Sequence, residues 1–305
     1  MYLYLPVALT SVNVLIPVGL GLAVGLLSGL FGVGGGFLMT PLLIMLGIPS
    51  TVAAATDSNQ IVAASTSGTY AHWKIGNVDF KMGFYLLVGG FAGGLAGVQG
   101  IKVLKAMGNA DFVIKITYVL MLGIVGSYMF FESLQSMKKK RVEDAKPAKE
   151  NALTKLLKAL PMQTRFEKSG VTHSVLVPII FGGFVGILAA VMGVGGGFLM
   201  VPVMVYILRM PMHVVVGTSL FQILFNCIEV TFLQAYTNHS VDFILAVLLL
   251  IGSTLGAQVG AVFGRKLKAD QLKIILAGIV LLVTVKMVFD LTLTPSLLLG
   301  LGGGH

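Results

Sequence analysis

The stretch GVGGGFLM occurs twice, at Gly32–Met39 and at Gly193–Met200. Each copy holds three consecutive glycines, Gly34, Gly35 and Gly36 in the first and Gly195, Gly196 and Gly197 in the second. Without Cβ atoms, such a run lets a ligand come close to the backbone N–H groups. A helix starting at Phe37 or Phe198 would aim its unpaired N–H groups, and the positive end of its dipole, at the turn. The chemistry this permits is anion binding without a charged side chain. The plainer use of the glycines is a tight turn with close helix packing. Duplication favours the anion site. So does the half-length apolar run that follows, because irregular backbone at membrane depth is tolerated only when buried in protein or lining a cavity. A nucleotide phosphate loop is excluded, since no Lys-Ser/Thr pair follows the glycines.

The next apolar run of each copy carries a second set of polar residues. Thr56 and Gln60 recur as Thr218 and Gln222, with the same spacing of four, so each pair shares one helix face. With Asn59 and Ser219 they are candidate neutral ligands around the anion, and hydrogen-bonding between helices is their alternative use. Asp57 and Glu229 are acids present in one copy only. They would relay protons, pair with a cation, or reach water near a segment end. The second of these roles would make the chain a cation or metal transporter, an alternative that the duplicated glycines disfavour. Lys286 either pairs with Asp290 or snorkels to an interface.

Enzymatic chemistry finds no support. His72 and His239 lack the partners a metal site needs, and no nucleophile–base pair stands at membrane depth. No cofactor and no metal are expected. The single cysteine, Cys227, excludes an intramolecular disulfide and reads as a small core residue.

These residues must be positioned by membrane helices. The chain is 56% hydrophobic and 11% charged, against about 25% charged in soluble domains, and its mean hydropathy is +0.94. Apolar runs near the length of a bilayer-crossing helix recur throughout, without the alternation of a β-barrel. Each copy contains five: 14–31, 37–47, 51–71, 83–101 and 112–131, then 175–192, 198–208, 212–236, 243–263 and 272–290. The second run of each copy has eleven residues, about 16 Å of helix against a hydrocarbon core of about 30 Å. The fold class expected is therefore an all-α polytopic membrane protein of two homologous repeats in inverted topology. Each repeat would contain a broken or half-length helix pair at the glycine turn. The boundaries expected are 1–133 and 173–305 for the repeats, with 134–172 as a basic linker. Internal repeats of this kind are a signature of transporter folds.

The net charge of +9 is concentrated in that linker, which argues against nucleic acid as a partner and for a cytoplasmic loop beside the bilayer. An inverted repeat then puts Lys74 and Lys81, and later Arg265, Lys266, Lys268 and Lys273, on the inner side, with both termini outside. Lys102 and Lys105 are the exceptions. The start MYLYLPVALT lacks the basic region of a secretory signal, and the terminal GGGH is set aside. The rows Gly21/Gly25/Gly29, Gly89/Gly93/Gly97 and Gly252/Gly256/Gly260 read as close helix packing, and Tyr70, His72 and Trp73 as interfacial anchors. A homo-oligomer is compatible with this reading.

Two copies of GVGGGFLM…P, the T…Q helix after each, and GNVDF at Gly76–Phe80 followed by a GxxxGxxxG helix resemble the TauE/SafE family of membrane transporters, also called the sulfite exporter family. The resemblance covers nearly all of the chain except the linker. In the second copy His239 and Ser240 replace the Gly-Asn before VDF. The resemblance implies an inner- or plasma-membrane transporter, and a small inorganic or organic anion as partner: sulfite, a sulfonate such as sulfoacetate, or a related species. An anion leaving a cell with a negative interior moves downhill by about 2.3 kcal/mol per charge per 100 mV, so export needs no dedicated proton relay.

Single cysteines introduced on a Cys227→Ser background test the topology. A cysteine within 138–168 is expected to label from the cytoplasmic side, and one at the C-terminus from the outside. Labelling of the C-terminus from the cytoplasm alone would refute the inverted arrangement.

Overall fold

The computed structural model describes residues 2–31, 36–138, 161–264 and 269–292. Gly34, Gly35, most of the basic linker, Arg265 to Lys268 and the terminal GGGH lie outside the described residues.

The chain opens with an antiparallel hairpin of β1 (Tyr2–Leu5) and β2 (Thr10–Asn13), with Leu5 opposite Thr10. Five helices follow: α1 (Leu15–Phe31), α2 (Gly36–Met45), α3 (Ser50–Lys74), α4 (Phe80–Ala106) and α5 (Ala110–Lys138). The same order of elements then returns. A hairpin of β3 (Gln163–Phe166) and β4 (Val171–Ser174) leads into α6 (Leu176–Met192) and α7 (Gly197–Pro202), which a π-helical turn extends over Val203–Ile207. α8 (Met212–Leu233) is likewise extended over Gln234–Asn238, and α9 (Phe243–Gly264) and α10 (Ala269–Thr292) complete the order.

Among the described residues four stretches are long and apolar enough to cross a membrane: Phe80–Ala106, Ala110–Tyr128, Met212–Asn238 and Phe243–Gly260. Leu15–Leu27, Gly36–Met45, Leu176–Met192 and Gly197–Ile207 are shorter apolar helices. α3 has 25 residues, about 37 Å at the helical rise, but its central polar residues lower its hydropathy. Most of them are buried in protein, which is where polar groups of a membrane helix belong.

Local sequence explains several helix ends. Pro49 and Pro211 precede α3 and α8 in extended conformation, with ψ of 135° and 137°, as a residue that donates no N–H and resists continuing a helix backwards should. Asp79 caps α4 by accepting from Met82 N at 3.0 Å, and Asp242 caps α9 by accepting from Leu245 N at 3.1 Å.

The two hairpins depart from the all-helical expectation. The alternation in Tyr2–Leu5 carries them: Tyr2 and Tyr4 are exposed while Leu5 is buried, and Phe166 is buried at the matching place in the second hairpin. Four-residue strands fall below the length that a hydropathy window detects. The second hairpin occupies part of the stretch expected as linker.

Helix pairing exchanges elements between the two halves. α1 packs on α9, and α4 on α6, through glycines. A Cβ on Gly25 would lie 2.3 Å from Ser253 O, and one on Gly256 would lie 2.1 Å from Leu22 O. In the other seam, a Cβ on Gly89 would lie 1.9 Å from Ile179 O, and one on Gly93 2.0 Å from Gly183 O. Contacts this short let the backbones themselves touch, which is how membrane helices gain van der Waals energy without a hydrophobic drive. α3 packs on α8 in the antiparallel sense: Ile61 meets Ile223 and Cys227, Gly68 meets Leu220, and Gly217 meets His72. α5 and α10 do the same, Gly123 near Thr284 and Gly126 near Val280.

Gly93→Leu is expected to cost about 1–3 kcal/mol or more by overpacking this seam. Gly100→Leu, at a position with open space around it, should leave the Tm of the purified protein nearly unchanged. Equal Tm values for the two variants would contradict the backbone contact.

Candidate functional site

The two half-length helices meet at their starting ends. Phe37 and Phe198, each directly after its glycine run, stack with ring centroids 4.7 Å apart and planes at 11°. α2 and α7 thus bring their first turns together in the protein interior, and each contains a proline, Pro41 or Pro202.

The second glycine turn is set by backbone angles. Gly193, Gly195 and Gly196 have φ of 70°, 69° and 79°, the left-handed region where a side chain is strained. Space is also absent: a Cβ on Gly195 would lie 2.5 Å from Cys227 Sγ, and one on Gly196 2.3 Å from Val185 Cγ1. The turn is buttressed from the other half of the chain. Ser58 Oγ donates to Gly193 O at 3.2 Å, and the Tyr118 hydroxyl donates to Met192 O. At the start of α2, a Cβ on Gly36 would lie 2.3 Å from Ile61 Cδ1 and 3.3 Å from Asp57 Oδ2. Gly36 and Gly195 thus both face Ile61, which packs with Ile223 and Cys227 beneath the junction.

The polar residues expected around the anion divide into two groups. Gln60 and Gln222 immediately precede Ile61 and Ile223 and keep hydrogen-bonding capacity in hand. Gln60 Nε2 donates to Asp57 Oδ1 at 3.0 Å, while among the described residues its buried Oε1 has no partner and neither amide atom of Gln222 has one. Thr56 and Thr218 are engaged in another task. Thr56 Oγ1 accepts from Asp242 N at 3.1 Å, and Thr218 Oγ1 accepts from Asp79 N at 3.0 Å. Ser219 Oγ donates to Val216 O of its own helix at 3.0 Å, and Asn59 is half-buried. Asp57 is fully buried beside Gly36, and its second oxygen accepts from Thr40 Oγ1 at 2.8 Å. Glu229 lies elsewhere, against Gly94 of α4. Lys286 and Asp290 are exposed on α10.

Three roles escaped the sequence reading. Asp79 and Asp242 each tie together two elements of the opposite half. Asp242 Oδ2 accepts from Val7 N and Ala8 N in the first hairpin, at 3.1 and 3.4 Å, while its own N–H reaches Thr56. Asp79 Oδ2 accepts from Ser169 N and Oγ in the second hairpin, while its N–H reaches Thr218. The signal was the duplicated VDF. Thr40 is the second role, with no counterpart motif to mark it. The third is Lys105, an exception to the charge rule: its ammonium donates to Asn238 O at 2.9 Å and Ser240 Oγ at 3.2 Å, where the second copy departs from Gly-Asn.

Helices of membrane-spanning length, with two short helices meeting head to head in the interior, define a polytopic helical membrane protein. Residues 18–287 match the family described as Sulfite exporter TauE/SafE, and the chain belongs to that family of membrane transporters. It is 28% identical over 272 residues to "Probable membrane transporter protein YjnA" of Bacillus subtilis, covering 88% of this chain and 97% of that protein. It is 26% identical over 283 residues to "Probable membrane transporter protein YunE" of the same organism, covering 89% and 96%. A shorter match, 33% identical over 108 residues, links 35% of the chain to 24% of "Sulfite exporter TauE/SafE family protein 2" of Arabidopsis thaliana. No solved structure matches the chain.

Thr56→Val and Asp242→Ala remove one tie between the halves. Hydrogen bonds to a charged group contribute about 1.5–3 kcal/mol, so Asp242→Ala should lower Tm markedly and Thr56→Val less. Substrate affinity of the folded fraction is expected to stay near normal. A Thr56→Val variant with unchanged Tm but lost affinity would make the hydroxyl a ligand after all.

Proposed function

We propose that the protein exports small sulfur-containing anions, sulfite or organosulfonates, across the inner or plasma membrane, binding them where the starting ends of α2 and α7 meet. The observation that carries this is the stacking of Phe37 on Phe198, which sets the starting turns of α2 and α7 against each other. Two helix starts facing one point supply backbone N–H groups and about half a positive charge each. Together these offset part of the desolvation of an anion that hydrocarbon would otherwise exclude. The amide of Gln222 completes the shell with a neutral donor, strong enough to bind and weak enough to release.

The antiparallel packing of like on like, α3 with α8 and α5 with α10, supports an inverted arrangement of the two halves. With the basic linker in the cytoplasm, both termini then lie outside. Alternating access would follow from movement of one half against the other around the junction. The family description supports the sulfur-anion class, and the name of the Arabidopsis relative agrees with it.

Flux into proteoliposomes, measured over sulfite, thiosulfate, sulfoacetate, taurine and acetate, tests the assignment. Sulfite or a sulfonate is expected to move and acetate to move least. Gln222→Ala removes one neutral donor, so KM should rise roughly 2- to 10-fold, the equivalent of about 0.5–1.5 kcal/mol. Gly195→Val should abolish transport. A folded Gly195→Val protein with near-normal sulfite affinity would reduce the glycines to packing residues and overturn the site.

A further inference from the structure

α8 carries Gln222, Asn226 and Glu229 at positions i, i+4 and i+7, one stripe on one face. α4 gives up its side chains opposite two of them. A Cβ on Gly90 would lie 2.5 Å from Asn226 Oδ1, and one on Gly94 would lie 2.8 Å from Glu229 Oε2. Gln222 and Asn226 are each only 1% exposed. Yet Gln222 Oε1 and Nε2, Asn226 Oδ1 and Nδ2, and Glu229 Oε2 are all buried with no hydrogen-bond partner among the described residues. Unpaired polar groups at membrane depth are strongly unfavourable. The same helix shows that pairing was available: further along, Gln234 Nε2 donates to Ala190 O, and Asn238 Nδ2 donates to Gln234 Oε1. Five orphaned atoms in one stripe therefore point to a ligand.

We infer that Gln222, Asn226 and Glu229 form a binding site for a monovalent alkali cation beside the central junction. Three side-chain oxygens, one of them a carboxylate, make a hard donor set suited to an oxygen-seeking ion. A single carboxylate balances one positive charge, whereas a divalent cation held by protein gathers several. Lys105 of α4 does not compete for Glu229, being committed to Asn238 O and Ser240 Oγ. The first copy has Ala64 and Ser67 at the matching places, so the site exists once and the charge it adds is one. The amide of Gln222 lies at the edge of both regions: its oxygen serves the cation and its nitrogen serves the anion. Opposite charges in a low-dielectric site attract, so each ion raises the affinity of the other by the same factor. The cation site stands on the orphaned oxygens alone; its linkage to anion binding rests on the function proposed above.

Thermal unfolding of the purified full chain, at constant ionic strength and with no sulfur anion present, tests the site. Replacing choline chloride by 100 mM sodium or potassium chloride is expected to raise Tm by roughly 2 °C or more with at least one of the two ions. Glu229→Gln and Asn226→Leu should lose most of that shift. In wild type, the same ion should tighten sulfite binding about 5- to 150-fold, a typical range for coupled sites. Identical Tm values in choline, sodium and potassium would overturn the proposal, as would a full shift retained in Glu229→Gln. An alkali shift that depends on Glu229, found in a protein that moves no sulfur anion, would uphold the cation site and refute the anion assignment. Sulfur-anion flux without any alkali shift would do the reverse.

Discussion

Two aspartates hold the halves of this protein together. Asp242 joins the tip of the first hairpin and α3 to the start of α9, and Asp79 joins the second hairpin and α8 to the start of α4. Each carboxylate satisfies several backbone or hydroxyl donors at once, and each aspartate N–H finds a threonine oxygen. Turns and helix starts expose N–H groups that nothing in hydrocarbon can satisfy. One aspartate whose carboxylate answers a cap and a hairpin tip, and whose own N–H meets a hydroxyl of a neighbouring helix, removes that cost at three places. Because the elements it joins belong to opposite halves, the polar satisfaction of each half is completed by the other.

The glycine seams extend the same interdependence. α1 finds its close-packed partner in α9 and α4 finds it in α6, so the long helices of each half are sandwiched with those of the other. Small residues along these two seams permit backbone-to-backbone contact, and dispersion at that distance is the main attraction available between helices in lipid. The consequence at the centre is precise placement. The second glycine turn is held by Ser58 and Tyr118, residues of the first half, so its shape depends on the docking of the two halves. A shift of one half relative to the other would therefore change the second glycine turn directly.

Polar residues break the likeness between the halves in an ordered way. Asp57 stands in the first half where the second has Ser219, and it is answered by the neutral donors Thr40 and Gln60. Asn226 and Glu229 stand in the second half where the first has Ala64 and Ser67, and they are not answered. The duplicated residues build the shared frame, and the unduplicated ones differentiate its two sides. A satisfied acid in one half and an unsatisfied stripe in the other give the junction different electrostatic surroundings in its two directions.

The sequence by itself determined the membrane class, the doubled order of helices, the half-length of α2 and α7, and the glycine turn before α7. These follow from composition, apolar length and local backbone permission, all of which are properties of neighbouring residues. It also marked Gln60 and Gln222 through their repetition. The hairpins were not legible, because strands of four residues within an apolar chain leave no periodicity long enough to read. The tasks of Thr56, Thr218, Asp79 and Asp242 were decided only by tertiary structure. Thr56 and Asp242 are far apart in the chain, and nothing in a threonine on a polar helix face says whether its oxygen will meet a ligand or a backbone N–H from the other half. The same holds for Asn226 and Glu229. Their spacing shows one stripe, but only the glycines of α4, packed opposite them, decide that the stripe is buried and left unpaired.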